Sequence, residues 1–198
     1  VIKNLCLKPR GLLLITGATG TGKSTTMASI IQYINDNRYS HILSVEDPIE
    51  FVFRDNKSSI TQREVGVDTH SFEDALYSGL RQDPDVIVMG ELRNIDVIEQ
   101  AITAAETGHL VIGTMHTNDA KSSIERILDV FSADAQNQIR VQLASTLLAV
   151  VSQQLVLRVE EKGRALASEV LIKSPTVEEL ILKNRVDELD EVIGNSTH

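Results

Sequence analysis

The stretch Leu12-Leu-Leu-Ile-Thr16-Gly17-Ala-Thr-Gly-Thr-Gly22-Lys23-Ser24 carries the strongest signal in the chain. It begins as a short apolar run of the kind buried in a parallel sheet. It continues as Gly-x-x-x-x-Gly-Lys-[Ser/Thr], matched at every fixed position. Beyond Ser24, to about Asn35, the residues Met27, Ile30, Ile31 and Ile34 recur at helical spacing. Strand, glycine loop and helix in this order are the context in which such a motif cradles phosphates. Glycines let the backbone close around the oxygens and present successive N–H groups, and the helix adds its positive N-terminal end. Gly17, Ala18, Thr19, Gly20, Thr21, Gly22, Lys23, Ser24 and Thr25 are therefore the predicted nucleotide-binding set. Lys23 would reach the β- and γ-phosphates and the Ser24 hydroxyl would face Mg²⁺, with ATP as the nucleotide.

Strands and helices alternate on both sides of this loop. Strands are expected at His41–Val45, Ser58–Arg63, Asp85–Met89 and Leu110–Met115. Helices are expected at Phe72–Leu80 and Asn94–Thr107, and from Asp119 and Asp134. That alternation predicts an α/β fold, a mostly parallel sheet flanked by helices. The tail differs: Val150–Val159 and Arg164–Ile172 are β-rich, joined by a turn at Glu160-Glu-Lys-Gly163 and followed by a short helix over Val177–Lys183. The expected division is a core of residues 1–149 and a small β-hairpin and helical part, 150–198, completing the same domain.

Composition narrows the function classes. Hydrophobic residues make up 42% and charged residues 24% of the 198, the balance of a globular domain with a sizeable core. Net charge is -9, from 28 acidic and 19 basic residues, the opposite of the bias expected of a protein that neutralises nucleic-acid phosphates. The lone Cys6 allows neither an internal disulfide nor a cysteine-rich zinc site, which points to a reducing, cytoplasmic setting. No apolar stretch approaches the roughly 20 residues that span a bilayer, and no signal peptide is visible. The first residue is Val1 rather than Met, so further sequence is expected upstream.

In an open parallel sheet, ligands sit beyond the carboxyl ends of the strands. Three further predicted strands deliver polar residues there: Glu46-Asp-Pro-Ile-Glu50, Gly90-Glu91 and His116-Thr-Asn118. Asp85-Val-Ile-Val-Met-Gly90-Glu91 has the form of a Walker B strand, with Gly90 where most phosphate-loop enzymes carry Asp. Glu91 then needs a second carboxylate, and Glu50 is the expected water-activating base, supported by Glu46 and Asp47. Ser24, Glu91, Glu46 and Asp47 form the expected Mg²⁺ set. His116 is placed to sense the γ-phosphate, whereas His109, at the start of its strand, suits an orienting role. Arg63, Arg81 and Arg93 are candidates to neutralise charge on the transferring phosphoryl group, within one subunit or across an interface.

Together, the phosphate loop, the acidic box Ile42–Phe51, the atypical Walker B segment Asp83–Arg93 and the His box Thr107–Asn118 resemble those of the secretion ATPase superfamily. Within it the chain is similar to the type IV pilus retraction motors, a likeness carried by Gln62-Arg-Glu-Val-Gly66, Ala104-Ala-Glu-Thr-Gly-His109 and Gly113-Thr-Met-His-Thr117. The resemblance implies a RecA-like core, a homohexameric ring, and ATP hydrolysis that drives pilin removal through an inner-membrane platform protein. It further implies peripheral placement at the inner membrane through partners, with Glu50 as catalytic glutamate, Glu91 as Walker B glutamate and His116 as the His-box residue. It also implies an N-terminal PAS-like domain, absent from this chain, and with it part of the intersubunit site. Extension and type II secretion motors usually add a four-cysteine zinc element, for which this chain has no cysteines beyond Cys6. A type IV secretion ATPase of similar build is the nearest alternative.

Other classes fare worse. A DNA translocase would want an aromatic-interleaved basic patch. A GTPase would want Asn-Lys-x-Asp, and Asn56-Lys-Ser-Ser59 fails at its last position. A regulatory subunit that binds without hydrolysing would have no need of Lys23, Ser24, Glu50 and Glu91 together.

Overall fold

The computed structural model describes residues 2–159 and 162–194. In chain order the elements are α1 (Ile2–Cys6), β1 (Gly11–Thr16), α2 (Lys23–Asn37), β2 (His41–Glu46), β3 (Ser59–Glu64) and α3 (Phe72–Gly79). A 3₁₀ turn, Leu80–Gln82, leads to β4 (Val86–Met89), α4 (Ile95–Glu106), β5 (Leu110–Met115), α5 (Ala120–Asp129) and α6 (Ala133–Thr146). Then come β6 (Leu147–Leu157), β7 (Arg164–Ile172), α7 (Pro175–Leu182), a second 3₁₀ turn at Val186–Glu188, and α8 (Leu189–Gly194).

The strands form one seven-stranded sheet in the order β3-β2-β4-β5-β1-β6-β7. Every neighbouring pair is parallel except β6 with β7. The expected α/β architecture is therefore present. β6 runs through positions 149 and 150, pairing with β1 on one side and β7 on the other, so one sheet continues across them. Of the expected turn at 160–163, Glu160 and Glu161 lie outside the described residues.

Alternation along each central strand builds two cores, one on each face of the sheet. Leu12 and Leu14 of β1, Ile87 and Met89 of β4 and Val111 of β5 pack with α3 to α8. Leu13, Ile15, Val86, Val88, Leu110 and Ile112 pack with α1 and α2. Burial on both faces is why these strands read as continuous apolar runs. β4 starts one residue later than expected, and just before it the Asp85 carboxylate accepts from the His41 backbone N–H at 2.8 Å, bracing the amino ends of β4 and β2.

Four helix starts follow side-chain capping. Ser71, Asn94, Asp119 and Ser174 each accept from a backbone N–H in the first turn of α3, α4, α5 and α7. α2 is different. Its N-cap is Gly22, which offers no side-chain cap, and its first turn holds no acidic residue. Register places Thr16, Val45, Met89 and Met115 near one rim, so the loops after β1, β2, β4 and β5 meet there.

Candidate functional site

Those loops enclose an open cleft of about 600 Å³ at the carboxyl rim. Its floor is the phosphate loop. Gly17 has φ 143°, and a Cβ there would run into the Gln153 carbonyl and lie 2.6 Å from the Thr21 hydroxyl, so only glycine fits. The Thr21 hydroxyl donates to the Ala18 carbonyl at 2.8 Å, closing the loop on itself.

Lys23, at the first position of α2, is buried. Its ammonium donates to the carbonyls of Gly17 at 2.7 Å and Ala18 at 3.0 Å. Burial pulls its pKa below the ordinary value, while the charges of Glu91 and Glu50 act in the opposite direction. Beside it, the Ser24 hydroxyl donates to Glu50 Oε1 at 2.9 Å. The serine and the expected base, 26 positions apart in sequence, are thus in direct contact.

The acidic wall is cross-linked. Arg93 Nε donates to Glu91 Oε2 at 2.5 Å, and Arg93 Nη1 lies 3.3 Å from Asp47 Oδ2. The hydrogen bond that Arg93 donates to Glu91, then the Glu91 charge, raise the Arg93 pKa further. His116 stands between Glu91, 3.4 Å from its Nε2, and the Lys23 ammonium, 3.4 Å from its Nδ1. An ammonium can only donate, so Nδ1 accepts and Nε2 carries the proton that faces Glu91. Glu46 is buried, its Oε1 accepting from Ser44 at 2.6 Å and Gln62 at 3.3 Å.

The Gly90 departure has a steric cause. A Cβ there would lie 3.2 Å from both Glu46 Cα and the Val45 carbonyl oxygen, tighter than ordinary packing. The Thr114 hydroxyl donates to the Gly90 carbonyl at 2.5 Å, fixing the turn that presents Glu91.

Not every candidate converges. Arg63 Nη1 donates to Ser78 on α3 at 2.6 Å, and Arg81 donates to the Tyr77 hydroxyl at 2.5 Å with its guanidinium 4.5 Å from that ring centroid. Neither lines the cleft. Arg81 precedes the amino end of β4, on the opposite rim. His109 likewise sits at the amino end of β5, its Nδ1 2.9 Å from the Ala104 carbonyl. Seven cleft residues lay outside the sequence-predicted set, Met27, Pro48, Gly90, Phe72, Thr114, Leu155 and Arg164. Thr114 falls inside the His box and could have been found there. Leu155 and Arg164 belong to the β6–β7 hairpin and carry no motif.

The family described as Type II/IV secretion system protein matches residues 1–192. This chain belongs to that family. Within it, the chain is 47% identical over 193 residues to the twitching motility protein of Neisseria gonorrhoeae, covering 98% of this chain and 52% of that one. It is 46% identical over 193 residues to the type IV pilus retractation ATPase PilT of Pseudomonas aeruginosa, covering 98% and 56%. The structure of the pilus retraction motor PilT with bound ADP superposes with a TM-score of 0.94 at 47% identity, covering 99% of this chain and 57% of that one. The likeness to pilus retraction motors read from the sequence is thus borne out. This member of the secretion family spans about half the length of the curated relatives it matches.

Proposed function

We propose that this chain is the ATP-hydrolysing core of a pilus retraction motor. The observation that carries the reading is the contact of Ser24 with Glu50 inside a cleft that also holds Lys23, Glu91 and His116. In this reading the N–H groups of the loop and the uncapped start of α2 bind the phosphates of ATP, and Lys23 turns from its carbonyl partners to the β- and γ-oxygens. Ser24, with Glu91 and the Glu46–Asp47 pair behind it, would hold Mg²⁺. Among the described residues no three His, Cys, Asp or Glu side chains converge as a metal cage. The donor set suits Mg²⁺, which keeps several waters and binds through one or two carboxylates and substrate phosphates. Bound there, the ion would neutralise charge on the phosphate oxygens.

Glu50 takes a proton from water as the water oxygen attacks the γ-phosphorus. The bond from that phosphorus to the β–γ bridging oxygen breaks, leaving ADP and phosphate. Arg93, anchored by Glu91 and Asp47, supplies positive charge at the same end of the cleft. His116, between Lys23 and Glu91, links the phosphate end to the acidic wall. Arg63 and Arg81, which do not line the cleft, would act only across an interface to a neighbouring copy.

The assembly in this reading is a homohexameric ring at the cytoplasmic face of the inner membrane, driving pilin disassembly through a platform protein, without nucleic acid. Among the described residues no helix is long and apolar enough to cross a membrane, so attachment would be through partners. An arginine supplied by a neighbouring subunit can be worth 10³–10⁵ in rate. If an N-terminal domain of the kind the family carries supplies such groups and much of the ring contact, residues 1–198 alone should bind ATP, stay monomeric at micromolar concentration and hydrolyse it far more slowly than the full-length protein. Light scattering and phosphate release on both forms test this. A stable hexamer of residues 1–198 working at the full-length rate would show that the core carries its own assembly and arginines.

A further inference from the structure

Glu50 stands in a segment that has no helix or strand of its own. Between Glu46, the end of β2, and Ser59, the start of β3, residues 47–58 form no regular element. Such a segment has no backbone ladder to hold it, so its shape depends on side chains from the scaffold around it. Glu50 itself is exposed, and its only printed tie is the hydrogen bond it accepts from Ser24.

The groups that hold its neighbours come from β3, the edge strand of the sheet. Just before Glu50, the Ile49 backbone N–H donates to Glu64 Oε2 at 3.0 Å. Just after it, Gln62 Nε2 donates to the Phe51 carbonyl at 2.8 Å, and Gln62 Oε1 accepts from the Phe53 N–H at 3.0 Å. The same Nε2 donates to buried Glu46 Oε1 at 3.3 Å. These partners fix the orientation of the amide, because its nitrogen faces two acceptors and its oxygen faces a donor. Gln62 and Glu64 lie two apart on the strand and so point to one face, whereas Arg63 between them points away to Ser78 of α3. Neither Gln62 nor Glu64 lines the cleft.

The far half of the segment is held from another element. Asn35 of α2 donates to the Arg54 carbonyl at 2.8 Å and accepts from the Asn56 N–H at 3.0 Å. The two β3 side chains therefore act on the half that carries Glu50, and Asn35 on the half that does not. We propose that Gln62 and Glu64 are positioning residues for Glu50, fixing the backbone on both sides of it so that its carboxylate stays beside Ser24. The proposal rests on the reading of Glu50 as the base that activates water. A misplacement of about 1 Å in such a group can cost roughly 10²-fold in rate.

The test measures steady-state phosphate release and MgATP affinity on the full-length protein. Gln62→Met keeps the length of the side chain and removes its hydrogen bonds, so kcat should fall about tenfold or more while MgATP affinity stays within about threefold. Glu64→Met should act alike. Glu64→Gln keeps an oxygen to accept from Ile49 and should hold kcat within about threefold of the unaltered protein. This pair tests the proposal by itself should Gln62→Met not fold. A double-mutant cycle then separates positioning from mere support of the fold. In a Glu50→Gln background, Gln62→Met or Glu64→Met should lower release by no more than about twofold further, because the carboxylate being positioned is already gone. The proposal is overturned if the methionine variants leave kcat unchanged, if they weaken MgATP binding as much as they slow turnover, or if Glu64→Gln is as slow as Glu64→Met. It is also overturned if Glu50→Gln is slow and the second loss multiplies the first. Normal release by Glu50→Gln alone would instead sink the reading of Glu50 as the base.

Discussion

The two sides of the phosphate loop hold their shape by different means. On the β2–β4–β5 side, charged groups and one imidazole hold one another: Asp47 to Arg93, Arg93 to Glu91, Glu91 to His116, His116 to Lys23. On the β6–β7 side, a backbone ladder and one clamp from Gln153 to Thr26 hold an apolar face. A wall of linked polar and charged groups responds to a change of charge at its centre, and the proposed hydrolysis would make such a change. A hairpin ladder does not. The proposed chemistry belongs to the first side, and substitutions on each side can break the contrast.

The largest effect belongs to the residue both sides depend on. Lys23→Ala removes the buried ammonium among the loop carbonyls, and MgATP affinity should fall by roughly 10²-fold or more, as for loss of charge-assisted hydrogen bonds. Isothermal titration measures it, and an unchanged affinity would place the phosphates elsewhere. Next comes Gly90→Ala on the charged side, where the new Cβ must push against Glu46 and Val45 at 3.2 Å. Overpacking of this kind should lower unfolding free energy by about 1–3 kcal/mol in chemical denaturation. A neutral result would mean that β2 and β4 separate freely, and that Gly90 is not there for want of space.

The smallest effect is expected on the hairpin side. Gln153 has one bonded and one unbonded polar end: Nε2 donates to Thr26, while Oε1 is buried without a partner among the described residues. Gln153→Met removes both, so a hydrogen bond is lost and an unsatisfied acceptor goes with it, for a net change within about 1 kcal/mol. A loss well beyond that would make the clamp, rather than the β6–β7 ladder, what fixes the hairpin.

The charged side was legible in the sequence because its residues follow apolar strands directly, and a parallel sheet gathers strand ends at one rim. Glu50, Glu91 and His116 could be placed from that rule and the phosphate loop. The hairpin side was not legible. Arg164 reaches the cleft only through its pairing with Leu157 across a turn, and neither residue has a motif. Arginines misled in the other direction. Arg63 lies on the edge strand and Arg81 at the amino end of β4, so closeness to the motifs in sequence did not become closeness in space. α1 and α8, of 5 and 6 residues, are too short to show a helical period and take their shape from the helices and strands they pack against.

The division of labour at Ser24 and Glu50 is the centre of the account, and one variant tests it. Glu50→Gln keeps the shape of the side chain and a hydrogen-bond acceptor for Ser24, but it cannot take a proton from water. Measured on the full-length protein, MgATP affinity should stay within about threefold while steady-state phosphate release falls by about 10²-fold or more, the cost of losing a general base. Near-normal release by Glu50→Gln, with binding intact, would contradict the assignment and move the base to Glu91 or beyond.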